Sequence, residues 1–210
     1  MKKFELTSET KINIFGKKLF RIKALISFAD VEAGETGGWV EKEGNVNQSG
    51  NAWVYGDAMV SGNAIVYGDA KVSGNAEVYG NAEVYGNAEV SDNAKVYGNA
   101  KVYGNAKVSD NAEVSGDAWV SDNAKVYGNA KVSGDAEVYG NADYTTIHGF
   151  GTQFRTTTFF RCKDKKVRVA CGCFFGTIPE FREQVKNTRK GKIAEEYLMI
   201  ADLMENHFEK

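Results

Sequence analysis

The chain has 210 residues, 42% of them hydrophobic, and a formal net charge of -2, a composition that excludes a disordered chain and a general polyanion binder. Its 23 Gly against a single Pro exclude Pro-rich linkers and point to regular structure punctuated by tight turns. No run of 18 apolar residues occurs and the opening MKKFELTSETK lacks an apolar core of signal-peptide length, so a cytoplasmic protein with no membrane partner is expected.

Residues 1–38 suit an N-terminal β cap. KINIF, GKK and LFRIKALISF read as two strands around a turn, followed by the Gly-rich lead-in AGETGGWV. From Asn51 to Thr146 the text divides without insertion into 16 hexads of the form (Asn/Asp)-Ala-x-Val-(Tyr/Ser)-(Gly/Asp), and only the last, NADYTT, departs clearly. WVEKEG and NVNQSG fit the frame more loosely, which gives 18 hexads over residues 39–146 and calls for a repeat fold. On an extended segment Ala and Val of one hexad face the same side and x faces the other. A small and a β-branched residue therefore point inward, while Lys, Glu, Trp, Met and Ile point outward. Gly followed by Asn or Asp supplies backbone positions that tolerate positive φ at a corner.

The outward charges fix how many hexads close one coil. Glu77, Glu83 and Glu89 are followed by Lys95, Lys101 and Lys107. If a coil has three sides, residues 18 apart stack, and Glu77 meets Lys95, then Glu113, then Lys131. Two or four hexads per coil would instead stack several like charges, which is destabilising. The reading is a mainly β protein built on a three-sided parallel β-helix of about six coils, roughly 29 Å long at about 4.8 Å per coil. Its ends require caps.

Residues 147–210 read as a small α+β module. RTTTFFRC and KVRVAC form a hairpin candidate around Lys163 to Lys166. Thr177-Ile-Pro-Glu180 has the order of a capping box with Pro in the first turn, opening a helix near 178–188. A longer helix near 192–208 carries Ile193, Tyr197, Ile200, Ala201, Met204 and Phe208 on one stripe. Counting Lys, Arg, Asp and Glu, residues 1–50 carry +1, residues 51–146 carry -7 and residues 147–210 carry +4. An anionic partner is accordingly expected only at the end of the chain.

The phrase (Asn)-Ala-x-Val-x-Gly resembles the hexapeptide repeat of the left-handed parallel β-helix superfamily. VYGNA, preceded by RIKALISFADVEAGETGGWVEKEGN, is similar to a subgroup of bacterial and phage proteins labelled polymer-forming or transferase. The likeness covers roughly residues 19–146, and the left hand is implied by it alone. The tail, with CGCFFGTIPEFREQV and EEYLMIADLMENHF, resembles an ending met in phage and prophage proteins.

The resemblance makes a trimeric acyltransferase using acyl-CoA the first chemistry to weigh. Such catalysis needs a general base near a cleft between subunits. No hexad contains His, the two histidines are His148 and His207, and no hexad is interrupted to shape a pocket. Acyl transfer is therefore the alternative, not the expectation, and no catalytic residue is assigned. Cys162, Cys171 and Cys173 with His148 supply zinc-compatible ligand types, and Cys162 and Cys171 could face each other across the hairpin. The spacing lacks paired C-x-x-C knuckles, so reduced structural thiols and no metal or other cofactor are expected.

Two further features carry binding chemistry. The run FRTTTFFRCKDKKVR offers Arg155, Arg161, Lys163, Lys165, Lys166 and Arg168 as phosphate contacts and Phe154, Phe159 and above all Phe160 as stacking faces for a nucleotide or a single strand. An amphipathic strand with a solvated charged face would look the same. Tyr67, Tyr85 and Tyr103 fall 18 apart and should form an outward ladder, resumed at Tyr139, with Trp119 on the same side. That ladder suggests a homo-oligomer interface, dimeric or trimeric. Ice or glycan binding would want Thr lattices and DNA mimicry a uniformly acidic face, and the hexads have neither. The expectation is a non-catalytic β-helical scaffold or binding protein, phage- or prophage-associated, that oligomerises and recognises through its C-terminal module a host protein or a small anionic nucleotide.

Overall fold

The structure is a computed structural model and describes residues 1–209. Each hexad from Asn51 to Gly140 contributes a two-residue strand made of x and Val, followed by a tight turn. Strands 18 residues apart pair in parallel. Glu77 lies beside Lys95, Lys95 beside Glu113, and Glu113 beside Lys131. The same register gives Glu89, Lys107 and Lys125 on a second side and Glu83, Lys101, Trp119 and Glu137 on a third. The result is a three-sided parallel β-helix of about six turns, as the charge order requires. Every hexad Ala from Ala52 to Ala136 and every Val from Val54 to Val138 is completely buried.

Successive coils are tied by backbone bonds of one polarity. Glu77 N–H donates to the Ala94 carbonyl at 2.9 Å, Tyr79 to Val96 at 3.0 Å and Asn81 to Gly98 at 2.7 Å. The turn residues divide their work more sharply than the sequence suggests. Positive φ falls on the sixth position only, on Gly80 at 75° for example, and on Asp92, Asp110 and Asp122 where Gly is replaced. The following Asn is not left-handed. It forms ladders instead, Asn63 to Asn81 at 3.2 Å, Asn81 to Asn99 at 3.0 Å and Asn99 to Asp117 at 2.9 Å, and each amide both donates and accepts.

At the N-terminal end, β1 (Phe4–Ile12) and β2 (Lys18–Ala24) form an antiparallel hairpin, and β3 (Thr36–Val40) joins β2 on one edge and Met59–Val60 of the prism on the other. The first strand lies earlier than KINIF. Asn13 Oδ1 accepts from Phe15 N–H at 3.0 Å and Lys17 N–H at 2.9 Å, which pulls NIF into the turn. β2 likewise stops at Ala24, because Phe28 and Val31 close a tight bridge of their own. A Cβ on Gly37 would sit 2.6 Å from the Trp53 ring and one on Gly38 2.5 Å from Val54, so the Gly-rich lead-in is the price of laying β3 flat on the first coil. Trp53, expected to face outward, is completely buried, edge-on to Phe4 and Phe28 at 5.9 and 5.4 Å, because the cap covers that position. The hexad NVNQSG is irregular, with a 3-10 turn at Glu43–Asn45 and a single bridge from Val46 to Val66.

At the other end NADYTT forms no side of a coil. Tyr144 begins a strand, Tyr144–Phe150, that opens a four-stranded antiparallel sheet continuing with Arg155–Arg161, Val167–Cys171 and Phe174–Thr177. The hairpin around Lys163–Lys166 is as read, while the outer two strands are not evident in the sequence. Helices α1 (Ile178–Thr188) and α2 (Gly191–Phe208) follow. The capping box is formed as written, with Glu180 N–H donating to Thr177 Oγ1 at 3.4 Å and the Glu180 carboxylate accepting from Thr177 N–H at 2.7 Å. The sheet separates two cores. Phe160, Cys162 and Ala170 close the end of the prism, whereas Phe159 and Val169 pack with Phe181, Val185, Tyr197, Ile200, Met204 and Phe208 of the helices.

Candidate functional site

The cationic residues of the tail converge only in part: Arg161 and Lys166 line one groove, and Arg155, Lys163 and Arg168 lie outside it. Arg161 is half-buried, donating to the Phe208 carbonyl at 2.8 Å, lying over the Phe208 ring at 5.3 Å and facing Asp143 at 3.7 Å. Arg168 is held by Asp164 at 2.8 Å, and that guanidinium keeps the Asp164 carboxyl below the usual carboxylate range. Lys163 is exposed in the hairpin turn, where its N–H donates to the Asp135 carbonyl at 3.0 Å. Lys166 is exposed beside it. Arg155 lies at the far end of its strand, across Gly172, where a Cβ would come within 2.4 Å of its Nη1.

Phe160 is a correction. It is completely buried and offers no face to a base, because the strand that carries it is covered on both sides, by the prism end and by the helices. The aromatic left exposed in that run is Phe154. What the tail does form is a groove of about 450 Å³ lined by Arg161, Lys165, Lys166, the first residues of α1 and Phe208. Its size suits a mononucleotide-sized ligand. Lys165, which reaches Glu137 at 3.7 Å and is otherwise exposed, belongs to this groove, as it belongs to the cationic run read from the sequence. Glu205 and Glu209 also line it, and Glu205 meets Arg182 at 2.6 Å, a guanidinium that Asp202 shares at 2.7 Å.

The four thiol and imidazole candidates are also apart. Cys171 pairs across the hairpin with Thr157, not with Cys162, and its sulfur accepts a hydrogen bond from Thr157 Oγ1 at 3.1 Å. Cys162 is buried, and burial together with the adjacent Asp135 pushes its thiol up to about 12. Cys173 and His148 are exposed, and among the described residues no group of three or more His, Cys, Asp and Glu is placed to hold a metal ion. A second cavity, beside Cys171, Phe181 and Tyr197, has a volume of about 90 Å³, below ligand size.

On the prism, Tyr67, Tyr85 and Tyr103 stack with centroids 4.7 and 4.9 Å apart and rings within 6° of parallel. Tyr67 O–H also donates to Glu83 at 3.1 Å. A second ladder, Tyr79 on Tyr97 at 4.9 Å, is extended by Phe15 of the cap at 5.0 Å. It is written in the same 18-residue spacing. Trp119 stands on the third side between Lys101 and Glu137, and it, Ile65 and Tyr139 are exposed large side chains of that side.

Residues 52–68 match the family described as YdcK Beta solenoid repeat. With the parallel solenoid of about six turns, this shows a hexapeptide-repeat β-helix. No curated protein matches the chain. No helix among the described residues is long and apolar enough to cross a membrane.

Proposed function

We propose that the protein is a non-catalytic β-helical scaffold whose C-terminal module recognises a small anionic ligand of nucleotide class. The observation that carries this reading is the groove between the hairpin turn and the start of α1, which Arg161, Lys165 and Lys166 line together with Val167, Ile178, Pro179 and Phe208. The prism supplies length and rigidity. Its hexads run without a loop insertion from Asn51 to Gly140 and contain no His, so they offer neither the cleft nor the base that acyl transfer needs. A phage or prophage setting and inhibition of a host protein extend the same reading and rest on the resemblance of the repeat and tail, while residence in the cytoplasm rests on the polar opening MKKFELTSETK and the lack of a long apolar run.

Fluorescence titration of the intact protein with ATP and with inorganic phosphate at several salt concentrations tests the ligand. Binding that weakens as salt rises, and is lost in Lys165→Ala/Lys166→Ala with unchanged circular dichroism, is expected. Absence of binding at low salt would remove the proposal. The second reading, acyl transfer from acyl-CoA, is favoured only by the repeat itself. Turnover of any acyl-CoA that disappears in His148→Ala would establish it instead.

A further inference from the structure

The prism sides differ in how they are finished. On the first side the cap reaches down, with Phe15 against Tyr79, and at its far end Phe175 lies where a Cβ on Gly134 would be, 2.7 Å away. The second side stacks Lys107 on Lys125, two like charges. The third side presents, in coil order, Ile65, Glu83, Lys101, Trp119 and Glu137 at its outward positions, the last held by Lys165 of the tail at 3.7 Å. Ile65 is 41% and Trp119 37% exposed, and between them Lys101 Nζ meets Glu83 at 3.0 Å.

The first four positions of that column read apolar, negative, positive, apolar, and this stretch is complementary to its own reversal, with Glu137 lying beyond it. A two-fold axis lying in the contact plane and parallel to the strands reverses the order of the coils while keeping each row opposite itself. Placed midway between the strands of Glu83 and Lys101, it sets Ile65 opposite Trp119 and Glu83 opposite Lys101, each twice, as an isologous contact requires. The rings of Tyr85 and Tyr103, next along the chain, meet the same way. An axis through the Glu83 strand or the Lys101 strand sets like charges together. So does any arrangement with parallel prisms in register, two-fold or three-fold. One coil carries Glu77, Glu83 and Glu89 on its three sides and the next carries Lys95, Lys101 and Lys107, so coils at equal height repel.

We propose that the protein pairs with a second copy of itself, prisms antiparallel, through the side that carries Ile65, Glu83, Lys101 and Trp119. The pairing deepens the reading of the prism as a scaffold. It bars the parallel trimer and forms a ring of four alternating charges flanked by two apolar contacts. Electrostatic complementarity sets its register and the apolar ends hold it.

Sedimentation velocity of the intact protein tests the pairing. A dimer that dissociates on dilution is expected. Glu83→Lys and Lys101→Glu are each expected to be monomeric, and their equimolar mixture dimeric again, since the first variant then presents two lysines to two glutamates of the second. Orientation is read by cross-linking on a Cys173→Ser background. Ile65→Cys is expected to form a disulfide with Trp119→Cys in a mixture and none with itself. A monomer at every concentration, a trimer, or a 65-to-65 disulfide would overturn the proposal. The ligand titration reads the groove residues and not this side, so either result can fail without the other.

Discussion

The sixth residue of each hexad is the one on which the prism turns. Gly80 has φ 75°, and a Cβ there would stand 3.0 Å from the nitrogen and the oxygen of Gly98 on the next coil. Two costs coincide, a left-handed backbone and a crowded stack. Gly80→Ala is expected to lose about 1–2 kcal/mol in urea unfolding. Gly80→Asp should lose less, because Asp at this position accepts the corner N–H of the next coil, as Asp92 does from Asp110 at 3.2 Å and Asp110 from Gly128 at 2.9 Å. Lys3 answers a different problem. Its ammonium is buried and donates to the carbonyls of Ala52 at 2.8 Å and Gly50 at 3.2 Å, and burial pushes it down to about 8. Lys3→Met leaves both carbonyls unpaired and is expected to cost about 2 kcal/mol at neutral pH. The unfolded chain holds the Lys3 proton up to about 10.5 and the folded chain only to about 8. Stability of the parent relative to Lys3→Met should therefore rise as pH climbs through that window, which paired unfolding curves at pH 7.5 and 10 would show.

Among elements, the charge columns were legible because opposite signs repeat at a fixed separation. The ion pairs are real, Lys95 to Glu77 at 3.2 Å and Lys131 to Glu113 at 3.2 Å. Lys95→Glu stacks three carboxylates in one column and should lower stability by about 1 kcal/mol, more at low salt. A salt series of thermal melts checks this. Helix α1 was legible for a similar reason, since a capping box is a local code. Thr177→Ala is expected to cost about 1 kcal/mol, seen as faster amide exchange in the first turn of α1. The outer strands of the tail sheet carry no such code. YTTIHGF lacks clean alternation, FFGT is four residues long, and Phe159 and Phe160 are adjacent apolar residues buried on opposite faces. A strand covered on both sides loses the period-2 signal, which is why FRTTTFFRCKDKKVR read as a ligand face.

At the scale of the molecule, one polarity of hydrogen bonding leaves carbonyls open at the first coil and N–H groups open at the last, and the two caps are chemically matched to that asymmetry. Donors gather at the N-terminal end. Besides Lys3, Arg21 reaches the Gly56 carbonyl at 3.0 Å and the Asn45 amide reaches Gly62 and Ala64 at 3.1 and 2.8 Å. Acceptors gather at the C-terminal end. Asn141 takes the Lys125 N–H at 2.9 Å, Thr158 that of Lys131 at 2.9 Å, and Asp143 those of Tyr139 and Gly140 at 3.0 and 2.9 Å. Ending the chain after Gly140 strips every one of these acceptors and uncovers the Ala and Val core of the last coil. The shortened protein is expected to aggregate where the intact one does not, measured by light scattering at equal concentration.

The sequence by itself determined the prism, its three sides and its register, because the interactions that set them recur every six and every 18 residues and need no distant partner. It also determined α1, whose start is written within four residues. Only the tertiary structure decided what closes the ends, why Trp53 and Phe160 are interior, and which cations of the tail share a groove. Those outcomes depend on chain segments far apart in sequence meeting the open edges of the prism, and burial there is set by what covers a residue, not by its neighbours in the chain.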